Sequence, residues 1–240
     1  MDKENRRTMQ AQRIIQFLRD VTANNNRSWF QAHRDEYEAV KADFEQGAVR
    51  AIARLSAMDP SLSHLGVKDV TYRFYRDTRF SPDKSPYKNH IGMYIAAHGK
   101  KAMHGGYYLH LEPGHCLLSA GNYWLPNNVL NACRTEMAGQ AELWLRTVEA
   151  PDFIRLFGRP GEGNWDSPRG FGLNMLKKTP QGYDAPDALA PYLRMKDFCA
   201  WHHVADSFFE GDKWLERMMP IFETARPMVD FVNAVIDDYE

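Results

Sequence analysis

No run of apolar residues in this chain approaches the ~20 that a helix needs to cross a bilayer, which excludes a helical membrane-spanning protein. Charge of one sign is missing too. Thirty Lys and Arg meet 31 Asp and Glu, for a formal net charge of -1. No global field then draws the chain to nucleic acid or anionic lipid, and electrostatic recognition has to be local. Cysteine is scarce. Cys116, Cys133 and Cys199 are odd in number, far apart and without a C-x-x-C pair. That argues against a disulfide framework or a zinc site and fits buried thiols in a reducing compartment. A catalytic cysteine is the weaker alternative, because free Cys is usually a small core residue. GxGxxG, P-loop and G-x-S-x-G patterns are absent, and Gly161-x-Gly163 follows no strand pattern. The charged first residues have no apolar stretch behind them, so no secretory signal is expected and the cytoplasm is the expected location.

What is present is core-forming. Hydrophobic residues make up 44% and aromatics 12% of 240 residues, enough for a sizeable packed interior. Without internal repeats or a low-complexity linker, the expectation is one domain over residues 1–240, with 1–12 a flexible N-terminal tail. Ile14, Ile15, Phe17, Leu18 and Val21 predict a short amphipathic helix ended by Asn24, Asn25 and Asn26. Ser28 with Gln31 reads as a capping box. Behind it Phe30, His33, Tyr37, Val40, Phe44, Ala48, Ala51 and Leu55 form one stripe on a long helix ending before Asp59 and Pro60.

The period then changes. Residues 70–75, 91–97, 107–112 and 116–120 read as short strands divided by Gly and Pro turns, which favours an antiparallel sheet. Helical patterning returns over 129–137, 141–148 and 188–195, with a Gly- and Pro-rich loop over 158–172, irregular chain over 177–186 and one more strand over 197–204. Trp214, Met218, Ile221, Phe222, Ala225, Val229, Val232 and Ile236 mark a C-terminal helix that Pro220 and Pro227 should kink or split. The expected class is α+β, a central antiparallel sheet with helices from both chain ends packed on it.

The densest chemistry lies in residues 73–90, where five Arg and Lys face two Asp. Pro82 and Pro86 stiffen this segment, and Phe74, Tyr75, Phe80 and Tyr87 can anchor it. Converging Arg73, Arg76, Arg79, Lys84 and Lys88, with Tyr87 and Tyr108 beside them, can hold a small phosphate-bearing or other anionic ligand, the arginines through a bidentate fork. Asp77 can orient an arginine, or act as a base if its surroundings raise its pKa. The plainer reading is that the arginines pair with Asp77 and Asp83 and brace the loop. Tyr108, His110 and Glu112 alternate on a strand and share one sheet face. If that face meets the loop, His90, His110 and Glu112 supply acid–base groups; otherwise it is an ordinary solvent face. The spacings of His98, His104 and His110, and the adjacent His202 and His203, match no metal motif, so neither metal nor cofactor is expected. A nucleic-acid reading would add Tyr123, Trp124 or Trp165 as stacking groups, but the net charge counts against it.

The stretch Asn24-Asn25-Asn26-Arg27 with Trp29-Phe30, His33-Arg34 and Tyr37-Glu38 resembles a bacterial and fungal family, domain of unknown function 2461. The loop from Arg73 through Tyr75-Arg76-Asp77, Arg79-Phe80-Ser81, Asp83-Lys84 and Pro86-Tyr87-Lys88 to His90 resembles its central motif. Tyr107-Tyr108, His110 and Glu112-Pro113, and later Leu176-Lys177, Pro180 and Gly182-Tyr183-Asp184, resemble further segments. Relatives often carry Phe where Tyr183 stands, and residues 158–173 look longer here. The resemblance implies one domain over most of the chain and no particular activity.

Overall fold

The computed structural model describes residues 9–239. Residues 1–8 of the expected tail lie outside them; Met9 and Ala11 are buried, and helix α1 (Ala11–Ala23) starts there. Its buried face, Ile14, Ile15, Phe17, Leu18 and Val21, is the one the periodicity gives. The next stretch departs from expectation. Asn26, not Ser28, caps α2 (Arg27–Ala32), its Oδ1 accepting the Trp29 N–H at 2.9 Å. His33 then interrupts the helix with φ -111°, and α3 (Arg34–Ser56) begins anew. The single long helix is therefore two. His33 is held by stacking on Trp29 at 4.0 Å and by a 2.8 Å bond between its Nδ1 and the Trp29 carbonyl.

Residues 70–75 are not a strand. α4 (Val67–Val70) ends there, opened by Asp69, whose carboxylate accepts the Gly66 N–H at 2.8 Å. Beyond it the chain makes only isolated bridges, Thr71 to Met93 and Tyr75 to Tyr87. The aromatics that suggested a strand serve side-chain packing instead. The expected strands otherwise form: β1 (Ile91–Ile95), β2 (Gly106–Leu111) and β3 (Leu117–Asn122). Helices α5 (Asn127–Gly139), α6 (Ala141–Val148) and α7 (Pro151–Phe157) follow. Then come β4 (Arg169–Phe171), within the expected loop, α8 (Ala190–Leu193), β5 (Phe198–His203) and α9 (Trp214–Tyr239). The sheet is antiparallel, in the order β1-β2-β3-β5-β4, and the class is α+β.

α9 is one helix despite Pro220 and Pro227. Each proline removes one backbone donor and frees the carbonyl four residues earlier. Both prolines, and Glu216 and Glu223 at those earlier positions, are exposed, so water can satisfy what the helix loses. The opposite face, from Trp214 to Ile236, is buried as the pattern requires.

Two compact units divide the chain. One takes residues up to Ile95 with Tyr108–Leu117 and Val204–Met219; the other takes Ala96–Tyr107, Leu118–His203 and the chain from Pro220. The first is built on an aromatic cluster. Phe30 stacks on Tyr87 at 4.0 Å, and Phe17, Tyr37 and Phe74 close around them. The second centres on Trp144, which meets Phe171, Tyr192 and Phe198. No helix among the described residues is long and apolar enough to cross a membrane.

Candidate functional site

The basic loop belongs to the first unit and is fastened at its root. Arg76 donates its N–H to Pro86 at 3.0 Å, and Lys88 to Phe74 at 3.1 Å. The side chain of Asn25 does more. Its Nδ2 donates to the Tyr87 carbonyl at 3.0 Å, and its Oδ1 accepts the Tyr87 N–H at 3.1 Å. One amide thus satisfies both backbone groups of a residue that is 3% exposed, as a neighbouring strand would. Phe74 and Tyr87 anchor the loop in the core. Tyr75 only leans on Phe30 and Tyr87 with its surface exposed, and Phe80, expected as an anchor, is 94% exposed.

The cations at the loop's tip are paired within it. Arg79 grips Asp77 with Nε at 3.0 Å and Nη2 at 2.6 Å, Arg73 approaches the same carboxylate at 3.9 Å, and Arg76 bonds Asp83. Lys84 donates to the Thr78 carbonyl at 2.9 Å. The Arg79 fork holds the Asp77 carboxyl down at about 2, so the raised pKa that a base there would need is not what this environment produces. Lys88 lies nearer the root, half-buried, its Nζ 5.6 Å from the centre of the Tyr72 ring. Burial and Arg73 lower its pKa.

Tyr108 and His110 of β2, with Glu112 just past its end, do meet the loop, at its last two residues. Asn89 Nδ2 donates to Glu112 Oε1 at 2.5 Å, and His90 Nδ1 lies 2.9 Å from Asn89 Oδ1. His110 Nε2 lies 2.9 Å from Glu112 Oε2, and its Nδ1 lies 2.8 Å from the Tyr108 hydroxyl. The donors follow from chemistry. Carboxylate and amide oxygens only accept, so His90 carries its proton on Nδ1 and His110 on Nε2. With His110 in its neutral form, Nδ1 accepts from Tyr108; the bare Nε2 of His90 is left as a lone-pair base. The imidazoles of His90 and His110 are 4.6 Å apart. His110 is buried, while Tyr108, Glu112 and His90 are half-buried. Burial, helped by His110, pushes His90 down to about 4, so it is neutral at pH 7. The His110 hydrogen bond lowers the Glu112 pKa, and burial raises that of Tyr108. Gly92 makes room for this arrangement, since a Cβ there would stand 2.5 Å from the Tyr108 hydroxyl.

Two of these participants, Asn25 and Asn89, escape a reading by residue type, because both act through amide groups that any loop Asn carries. Ligating atoms of His90, His110 and Glu112 lie within 4.8 Å of one another, and so do those of His98, His104 and Asp237 in the second unit. Neither grouping follows a sequence spacing. The three cysteines are free and buried, and burial pushes each thiol up to about 12, far from a reactive thiolate. No curated protein and no solved structure matches the chain. The model of the conserved hypothetical protein family DUF2461 matches residues 13–231, across both compact units and every residue of the site, and the chain belongs to that family.

Proposed function

We propose that the protein binds a small anionic ligand, phosphate- or carboxylate-bearing, at the root of the loop, where Lys88 supplies charge and His90 a proton acceptor. The observation that carries this reading is the hydrogen-bond chain that joins Tyr108, His110, Glu112, Asn89 and His90, with donors running in from both ends onto the Glu112 carboxylate. With its Nδ2 committed to Glu112, the Asn89 amide offers only its oxygen to His90, which places the His90 proton on Nδ1 and holds the lone pair at Nε2 ready. The cations of the loop outnumber its carboxylates five to two, which favours an anion over a neutral partner. The free thiols support a reducing, cytoplasmic setting.

Phosphate, a mononucleotide and a dicarboxylate, each added at fixed ionic strength, should raise the melting temperature for the matching class, because a ligand of the folded state stabilises it by mass action. Lys88→Ala and His90→Gln should each abolish the shift while leaving the unliganded melt near that of the wild type. A wild-type melt unmoved by every anion sinks the reading.

A second reading is supported by the Arg79–Asp77 fork, that the tip of the loop is an ion-paired brace. On that view Arg73, Arg76, Arg79 and Lys84 shape the loop and leave the ligand to its root. Arg79→Lys then leaves anion shifts unchanged, whereas direct contact with the ligand predicts their loss.

A further inference from the structure

We propose that His90, His110 and Glu112 form a binding site for a divalent first-row transition metal such as zinc or ferrous iron. The inference deepens the ligand reading and shares its residues, but it needs no anion to be tested.

The first support is geometric. One ligating atom from each residue falls within 4.8 Å of the others, close enough for a single ion to reach all three with small side-chain movement. Two imidazoles and one carboxylate are the donor set that borderline divalent ions take, and three protein ligands leave positions open for water or substrate.

The second support is what holds the ligands. Metal-bound histidines and carboxylates rely on partners at their other atoms to fix their orientation. Those partners are already in place. Asn89 Oδ1 takes the His90 Nδ1 proton, which turns Nε2 out as the donor to metal. The amide of the same Asn89 holds Glu112 Oε1 at 2.5 Å, leaving Oε2 for the ion. Tyr108 Oη stands 2.8 Å from His110 Nδ1. Metal at His110 Nε2 displaces the proton there, and that proton is taken up again at Nδ1, whose N–H then donates to the Tyr108 oxygen. The exchange of tautomer costs no net proton, and it frees the Tyr108 hydroxyl to donate elsewhere. Gly92, which clears the space for the Tyr108 ring, belongs to the same support.

This arrangement is distinct from the one in the second unit, where His98 and His104 stack at 3.8 Å and His104 Nε2 lies 2.8 Å from Asp237. There one histidine covers the face of the other.

The test uses the full chain, stripped with chelator and titrated with cobalt(II) without any anionic ligand, read by its visible absorption and checked by elemental analysis after zinc loading. The expected result is one equivalent bound by the wild type, with affinity reduced at least tenfold in His90→Ala and in Glu112→Gln. Asn89→Ala should weaken binding roughly 10- to 100-fold, the usual range for a supporting partner, and His98→Ala should leave it unchanged. His90 is only half-buried and its variant should melt as the wild type does, so it decides the matter even if Glu112→Gln fails to fold. Absence of stoichiometric metal in the wild type overturns the proposal, as does binding that survives His90→Ala or that is lost with His98→Ala. If no metal binds while an anion still raises the melting temperature in a Lys88-dependent way, the metal inference falls and the ligand reading stands.

Discussion

Asn25→Asp is the sharpest perturbation of this structure, because it changes one NH2 to oxygen and almost nothing in shape. In the wild type the amide donates to the Tyr87 carbonyl at 3.0 Å and accepts the Tyr87 N–H at 3.1 Å. A carboxylate can still accept, but it sets a second oxygen against the carbonyl and leaves that acceptor without its donor. Leaving a buried polar group unpaired costs about 1–3 kcal/mol, and the repulsion adds to it, so a loss of about 2–3 kcal/mol is expected. For a chain of this size each kcal/mol shifts the melting temperature by about 2–4 °C, giving a drop of about 4–12 °C. The pH dependence identifies the cause. Protonating the new carboxyl restores a donor, so the neutral form is favoured in the folded protein and the folded pKa rises. The deficit relative to the wild type therefore shrinks as the pH falls towards about 4. Thermal melts of both proteins from neutral to acid pH would show this, and amide exchange at Tyr87 and Lys88 would locate the loosened segment. A variant as stable as the wild type at neutral pH, with unchanged exchange at these amides, would refute the idea that Asn25 holds the loop.

Phe44→Ala should cost about 3–5 kcal/mol by denaturant unfolding, since Phe44 is buried on the core face of α3. Gly92→Ala should disturb the Tyr108 hydroxyl and reduce metal or anion binding in the titrations above, with a smaller effect on melting. The Asp77 carboxyl should titrate near 2 by carbon-detected NMR, and Arg79→Lys should move the midpoint up towards 3.8. Because the folded pKa is the lower one, the contribution of this pair is present above about 4 and is lost as the pH falls through about 2. Wild-type and variant midpoints that coincide would show that the fork does not govern Asp77.

Much of the fold was legible because it rests on local pattern. The buried faces of α1 and α9 follow the 3.6-residue period, whereas β1, β2, β3 and β5 are marked by short apolar and aromatic runs between turn residues, and β3 is buried at every position rather than at alternate ones. α7 was missed although its signals are present, Pro151 at the first helical position and Gly158, with φ 73°, just past the end. The failures cluster where tertiary contacts outweigh local preference. Residues 70–75 are aromatic because the Phe30–Tyr87 stack needs partners, and strand pairing is not their purpose. His33 breaks a helix that its stripe would continue.

The candidate site divides in the same way. From the sequence alone came the basic loop, its proline-stiffened character, and the placement of Tyr108, His110 and Glu112 on one face of a strand, since period two is a property of the extended backbone. Only the tertiary structure decided that the tip arginines turn onto Asp77 and Asp83, that Phe80 points into solvent, and that Asn25 fastens Tyr87. It also decided that Asn89 joins His90 to Glu112 and that two histidines and a carboxylate converge without any spacing to announce them. The physical reason is that Asn25 meets Tyr87 across 62 residues and Asn89 meets Glu112 across 23, and that even the short Arg–Asp pairs depend on how the loop folds, none of which a local periodicity encodes.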